Sequence, residues 1–339
     1  MPVGGEHYLA SVPHGAAPLT QGNLVMTLSS SLRARTRRAA LVTLTTASVL
    51  VSGAVAAGAA PSPGTPSGAK HSTRQGAIGT LTAVPAAGAR TAAVTIPSTC
   101  AGLMHRTVDG RVDRYVYRGS RFTRTTLGEL VFDNGLETPQ AFALVAQTAE
   151  YDVFFAVRAN GSLWRVVWDG SGLYSEQVSA RGWGGVRHLT ASPTGTMLYA
   201  LTTSGGLYRY SVTPALTVKS LGAIATSGWS GVRFLSALPA DDTYDAFVGV
   251  FSTTGGVSQY LVERSSGRTT SSKWFTSGWS TIRHLSVGSC ANSPGASLIG
   301  INNSNNAFGY YDSNIFDGSA ANLRSAGQVG SGFSGLLTD

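Results

Sequence analysis

The 339 residues are enough for one large domain with flanking segments, and only 12% of them are charged. The 42 glycines, set among many Thr, Ser, Val and Tyr residues, suit short strands and tight turns and exclude a largely helical chain. The formal charge is +8, but seven of the 25 basic residues and one of the 17 acidic residues precede residue 100, leaving 18 against 16 beyond it, a net of +2. That region lacks the concentrated basic surface that phosphate binding needs, so no nucleic-acid partner is expected.

In chain order, the first 25 residues fit no export signal, and Met26 is the expected start of translation. Arg33, Arg35, Arg37 and Arg38 then precede an uncharged run, Ala39–Ala60, that closes on small residues. A basic segment, an apolar segment and a small-residue end make a secretory signal. The run is also long enough to span a membrane, but Thr43, Thr45, Thr46, Ser48, Ser52 and Gly53 dilute it. Residues 1–60 are therefore expected to be an extension plus a cleaved signal, leaving no membrane span in the mature protein and a secreted product. TRRAAL, Thr36–Leu41, is a partial twin-arginine pattern. Residues 61–99 are Pro, Gly, Ala, Ser and Thr with few large apolar side chains, which predicts a disordered linker.

The remaining 100–339 region is repetitive. RGWGGVRHL (Arg181–Leu189), SGWSGVRFL (Ser227–Leu235) and SGWSTIRHL (Ser277–Leu285) are followed by a weaker SGFSGLL (Ser331–Leu337). Trp183, Trp229, Trp279 and Phe333 are 46, 50 and 54 residues apart, the spacing of one supersecondary unit copied several times. A second segment also recurs, at Leu103–Tyr115, Phe154–Val166, Leu198–Tyr210, Phe247–Tyr260 and Leu298–Tyr311, the first of these with no tryptophan motif before it. Each is an apolar run, a polar turn and an alternating aromatic run, which predicts a β-hairpin. The turns hold Asp109-Gly110, Asn160-Gly161, Gly205-Gly206, Gly255-Gly256 and Asn305-Asn306, residues that tolerate the positive φ of tight turns.

Five hairpins need five copies of the preceding motif. The degenerate Asn134-Gly135-Leu136 opens the second unit and Phe333 supplies the last. The chain then enters on the second strand of a unit and leaves on a first strand. Pairing the two completes a five-bladed, all-β propeller, which leaves no open sheet edge at the seam as a solenoid would. Cys100 and Cys290 are the only cysteines. In an exported chain an even count points to one disulfide, with two separate thiols as the alternative; the ring would place both cysteines in loops of the same kind, before a second strand, on one face.

GWGGVRHLTASPTGTMLYAL (Gly182–Leu201) carries a Gly-Trp, an alternating strand, a Pro-x-Gly turn and Leu-Tyr-Ala-Leu. By this pattern the chain from about Leu103 to Asp339 resembles the tachylectin-2-like five-bladed propeller lectins. The resemblance implies binding of N-acetylated sugars between adjacent blades, by the first-to-second strand loops and a long outer loop. It implies glycans or cell-surface polysaccharide as partners and no cofactor. Carried over, the first-to-second strand loops place Ser192, Pro193, Thr194 and Gly195, then Pro239, then Asn292, Ser293 and Pro294 at the sugar. The outer loop departs from the family's Pro-Pro and Asp-Asn-Trp, reading SVTPALTVKS (Ser211–Ser220) with one Pro214.

Other residues have plainer readings. The once-per-unit Trp183, Trp229, Trp279 and Phe333 point to packing between sheets, with sugar stacking as the alternative. Tyr208, Tyr260 and Tyr310 read likewise. His188 and His284 share a register that Phe234 occupies in the unit between, which argues against a metal or base role. Arg187, Arg233 and Arg283 recur as a hydrogen bond or ion pair made once per blade, with the central channel as the alternative. The cluster Arg106, Arg111, Arg114, Arg118, Arg121 and Arg124, diluted by Asp109 and Asp113, reads as a solvated blade face. No Cys/His spacing fits zinc. A glycoside hydrolase would need paired carboxylates; Asp109, Asp113, Asp133, Glu150, Asp152, Asp241, Asp242 and Asp245 are the candidates, but no spacing converges two of them. A non-catalytic sugar-binding ring is the expectation, with a protein-binding scaffold and a five-bladed hydrolase as alternatives.

Overall fold

A computed structural model describes residues 93–338 except Asn134, Ala149 and Ala240, all within the unit Gln75–Asp339. The start at Met26, the export signal and most of the 61–99 linker lie outside the described residues.

The described chain is all-β, its strands joined by turns and loops. It runs through β1 (Cys100–Val108), β2 (Arg111–Arg118), β3 (Arg121–Glu129), the short hairpin β4 (Val131–Phe132) and β5 (Gly135–Leu136), then β6 (Ala141–Gln147), β7 (Asp152–Val157), β8 (Leu163–Trp168) and β9 (Leu173–Ser179). The third repeat gives β10 (Val186–Ala191), β11 (Met197–Thr202), β12 (Leu207–Val212) and β13 (Val218–Ala225). The fourth gives β14 (Val232–Leu238), β15 (Tyr244–Phe251), β16 (Val257–Glu263) and β17 (Thr269–Phe275). The fifth gives β18 (Ile282–Cys290), β19 (Ala296–Asn302), β20 (Ala307–Asp312) and β21 (Leu323–Gly330), and β22 (Leu336–Thr338) ends the chain.

Four blades are consecutive antiparallel sheets: β6–β9, β10–β13, β14–β17 and β18–β21. The fifth, blade 1, is assembled from both ends of the chain. β22 pairs with β1 at His105↔Thr338, Arg106↔Leu337 and Thr107↔Leu336, and β1 continues into β2 and β3. The innermost strands β22, β6, β10, β14 and β18 neighbour one another in that order and back to β22. This is the five-bladed propeller closed by its N- and C-terminal strands.

Burial follows radial position. Second strands are sandwiched between neighbouring blades, so β7 (DVFFAV) and β11 (MLYALT) are apolar runs buried on both faces. Fourth strands such as β13 (VKSLGAIA) form the outer rim and are mostly exposed. The hairpin turns take the expected conformation, with φ of 80°, 83°, 64° and 64° at Gly161, Gly205, Gly255 and Asn305.

Three features differ from the sequence expectation. Asn134-Gly135-Leu136 does precede the inner strand of blade 2, but Leu136 stands 54% exposed instead of filling the place of a tryptophan. A leucine is too small for that place, and the short β4–β5 hairpin buries Phe132 against Trp164 instead, with the Arg158 guanidinium over both rings. Next, Cys100 and Cys290 lie in strands and not in loops. β1 and β18 form a two-pair ladder, Cys100↔Cys290 and Ala101↔Ser289, which the disulfide Cys100–Cys290 closes. Gly102 and Gly288 permit this approach, since a Cβ on Gly102 would come within 2.8 Å of the Gly288 Cα. Lastly, the packed region begins upstream of Cys100. The Val94 N–H donates to the Ser325 carbonyl (3.2 Å) and Ile96 is buried against Gly309, so this stretch lies along blade 5.

Candidate ligand-binding face

In blades 2 to 5 the first-to-second and third-to-fourth strand loops emerge at the same end of the sheet; blade 1, split between its first and second strands, contributes only its third-to-fourth loop. The ring therefore gathers them on one face. The expected site residues all lie there: Ser192–Gly195 between β10 and β11, Pro239 between β14 and β15, and Asn292–Pro294 between β18 and β19. Each loop belongs to a different blade, so they form repeated positions around the face and do not converge on one pocket.

The loops are held by their own hydrogen bonds. Ser192 is buried, its Oγ accepts the Met197 N–H (3.1 Å), and its carbonyl accepts the Gly195 N–H (2.8 Å). The Thr194 hydroxyl lies 3.1 Å from that of Ser192 and 2.8 Å from that of Thr196. Gly195, at φ 68°, sits against the Val145 carbonyl of blade 2, where any Cβ would collide. Pro193 and Thr194 remain exposed. After the half-buried Pro239, Asp241 Oδ1 accepts the N–H groups of Thr243 and Tyr244 (both 2.8 Å), which hold its carboxyl below the usual range. Asn292 adopts φ 59°, Ser293 Oγ accepts the Gly295 N–H (3.0 Å), and the Pro294 carbonyl accepts the Ile315 N–H (3.1 Å).

The outer loops differ in length. Between β12 and β13, Pro214 and Ala215 are exposed, while Leu216 turns inward to the core between blades 2 and 3. Between β20 and β21 the loop is the longest of the five, residues 313–322. Sequence reasoning sought the outer contributor at Ser211–Ser220 and passed over this loop. The signal available was an apolar pair, Ile315-Phe316, in an otherwise Asn/Asp/Gly/Ser/Ala stretch.

The repeated aromatics sit away from this face, in the joints between blades. Trp183, Trp229 and Trp279 are buried and lie 4.5, 4.6 and 4.7 Å from the rings of Tyr210, Tyr260 and Tyr310. Tyr210, not Tyr208, is thus the equivalent of Tyr260 and Tyr310. Phe333 packs on Tyr115 (5.1 Å) in the closing blade. The repeated arginines cross to the next blade. Arg187 donates to the carbonyls of Arg233, Trp229 and Val232, Arg233 to those of Ser280 and Ile282, and Arg283 to those of Phe333 and Gly335. His188 Nε2 lies 2.8 Å from the Leu235 carbonyl, and Phe234 sits between the two histidines.

Three of the candidate acids are buried in ion pairs. Asp113 binds Arg106 (2.6 Å), Arg124 (3.0 Å) and the Thr126 hydroxyl (2.8 Å); these outweigh burial and lower its pKa. Asp152 meets Arg114 and His105, both at 3.2 Å, and burial lowers the His105 pKa despite that neighbour. Asp245 accepts from Arg264 (2.8 Å) and from the Tyr199 hydroxyl (2.6 Å), whose pKa is raised by burial and by that carboxylate. The last two are one construction used twice. A polar side chain on a second strand, His105 or Tyr199, reaches an aspartate near the start of the next blade's second strand. Of the others, Asp133 pairs with Arg158, and Asp109 occupies a turn at φ 50°. Among the described residues no group of three or more His, Cys, Asp or Glu side chains is placed to hold a metal ion. No helix among them is long and apolar enough to cross a membrane.

No family model matches the sequence, and no curated protein does. Solved structures with a similar backbone include the SapL1 lectin in complex with alpha methyl fucoside, at 14% identity over 72% of this chain and 82% of that one, with a TM-score of 0.45. A proposed 6-phosphogluconolactonase from Bacteroides uniformis is similar at 14% identity, 72% of its length and 69% of this chain, with a TM-score of 0.40. An arginine triple mutant of AofleA from Arthrobotrys oligospora reaches 17% identity over 55% of each chain and a TM-score of 0.38. At these values no activity transfers, and the architecture rests on the strand pairing itself.

Proposed function

We propose that this chain is an exported, non-catalytic, multivalent carbohydrate-binding propeller of the tachylectin-2-like kind, taking N-acetylated sugars or cell-wall glycans. The observation that carries this reading is the repetition of short, internally hydrogen-bonded polar loops at equivalent places on one face of a closed ring. In two of them the exposed groups, Pro193 and Thr194, then Asn292, Ser293 and Pro294, are neutral, while the loop after Pro239 adds the exposed carboxylates Asp241 and Asp242; all suit a ligand rich in hydroxyls. The near-balanced charge beyond residue 100 supports the same class. The engagement of Asp113, Asp152 and Asp245 by arginines removes these three from candidacy as an acid/base pair, which needs carboxylates open to substrate. Export is supported by the basic and apolar N-terminal segments and by the disulfide, a bond of oxidising compartments.

Separate shallow positions predict weak binding at each and firm attachment only to polymers or dense surfaces, through avidity. The test is a glycan array probed with the full secreted chain, carrying amino-sugar oligomers and bacterial and fungal wall polysaccharides. Retention on dense glycan with weak binding of the free monosaccharide is expected. Absence of binding to every glycan would sink the reading.

A further inference from the structure

Resting on that carbohydrate reading, we infer that Tyr174 and Phe316 are the platforms on which the sugar rings stack, one in blade 2 and one in blade 5. Most aromatics in the described chain are buried in the joints between blades. Two stand largely in solvent, Tyr174 at 57% and Phe316 at 59% exposure. A single exposed aromatic needs no explanation. Both stand at the third-to-fourth strand connection of their blades, at the end of the sheet that carries the first-to-second strand loops: Tyr174 is the second residue of β9, just past the 169–172 loop, and Phe316 lies within the 313–322 loop.

Both rings are carried by framed loops. Before Tyr174, Asp169 Oδ1 accepts the Ser171 hydroxyl (2.7 Å) and the N–H groups of Ser171 (3.0 Å) and Gly172 (3.3 Å). The Ser171 hydroxyl lies 3.2 Å from that of Tyr174. Around Phe316, Ile315 is buried in the core between blades 4 and 5 and its N–H is tied to Pro294, a first-to-second loop residue of the same blade. Asp317 accepts from the Ser319 N–H (2.8 Å) and the Asn322 amide (2.9 Å). Phe316 is thus held outward while its neighbour is held inward.

An aromatic face bordered by hydroxyl and amide groups and by one carboxylate, Asp169 or Asp317, suits one ligand chemistry. The C–H face of a pyranose covers the ring, while its hydroxyls and acetamido groups meet the polar border. A loop already ordered in the free protein gives up little entropy on binding. Blades 2 and 5 both flank blade 1, and two platforms on one ring allow a multivalent glycan surface to gain avidity. The proposed occupant is a neutral glycan chain.

The test uses the full disulfide-bonded chain with Phe316→Ala, Tyr174→Ala, the double variant and Phe316→Trp. The probes are surface-bound N-acetylglucosamine tetramer and whichever array glycan the wild type binds. Since both side chains are exposed, all variants should melt as the wild type does. Each alanine variant should weaken binding about tenfold and the double variant about a hundredfold, while Phe316→Trp retains it. A normally folded double variant with wild-type affinity would overturn the assignment and leave the carbohydrate reading standing. A wild type that binds no glycan removes both.

Discussion

The backbone N–H of Trp229 donates to the carbonyl of Gly205 over 2.9 Å, across the boundary between the third and fourth blades. The same bond joins Trp183 to Gly161 (3.1 Å), Trp279 to Gly255 (2.9 Å) and Phe333 to Asn305 (3.1 Å). The two repeated segments of the sequence, the aromatic motif and the hairpin turn, are therefore two halves of one joint. Each turn residue holds a left-handed backbone while the next blade's motif packs directly on it.

The joint makes Gly205 sensitive to a single methyl group. It has φ 83°, and a Cβ there would approach the Ser230 nitrogen to 2.8 Å. Gly205→Ala is expected to cost about 1–3 kcal/mol. Gly172→Ala, where no atom lies within 4 Å and φ is ordinary, should stay within about 0.5 kcal/mol of wild type. Urea unfolding midpoints of the two variants check this, and equal losses would remove the joint's special role.

Much of this construction is legible in the sequence because it repeats. Turn glycines and aromatics recur at matching intervals, and the offset between the two series reveals the split blade. What repetition does not cover was harder to read. Leu136 occupies the tryptophan register, yet nothing in the sequence shows that Phe132 would be buried in its stead. His105, which meets Asp152, and Tyr199, which meets Asp245, lie in neighbouring blades, at sequence distances that no local pattern encodes. Phe316 escaped notice because exposure in a loop leaves no periodic trace.

The disulfide Cys100–Cys290 spans 190 residues and sits at the seam where β1 meets β18. It constrains an unfolded loop comprising most of the ring. The chain-entropy relation gives a contribution of about 5 kcal/mol for a loop of this length. The Cys100→Ser, Cys290→Ser double variant should unfold at correspondingly lower urea concentration. Reductant should lower the wild-type midpoint but not that of the variant. A wild type indifferent to reductant would show that the three-pair β22–β1 ladder closes the ring without help.

Acid sensitivity should come partly from the inner strands. Burial, then the neighbouring His188 and Arg283, pushes the His284 pKa down to about 3. Burial and Arg187 push that of His188 down to about 4, against the effect of its bond to the Leu235 carbonyl. Unfolded histidines take up protons near pH 6.5, so below that pH the unfolded chain binds more protons than the folded one. The contribution is fully present above pH 6.5 and is lost as pH falls toward the folded values. The urea midpoint should therefore drop from pH 7 to pH 4. His284→Phe, which copies the residue of blade 4 at this register, should reduce that slope. A variant with the wild-type slope would assign the acid loss to other groups.

Arginine repeats at the inner strand for its hydrogen bonds and not for its charge. Arg233 Nη1 donates to the carbonyls of Ser280 and Ile282, both at 2.7 Å, and among the described residues it forms no ion pair. At the same place in blade 2 stands Gln140, whose amide donates to the equivalent carbonyls of Gly184 (3.3 Å) and Val186 (2.5 Å). A neutral donor of sufficient reach thus performs the same joining. Arg233→Gln should lose little stability. Arg233→Met keeps the aliphatic stem but leaves the carbonyls unpaired, and should cost about 1–3 kcal/mol. Raising the salt concentration should not alter that difference, because no ion pair is there to be screened. Urea midpoints of both variants at low and high salt decide the matter: equal losses for Gln and Met, or a salt-dependent gap between them, would restore charge as the reason for the repeat.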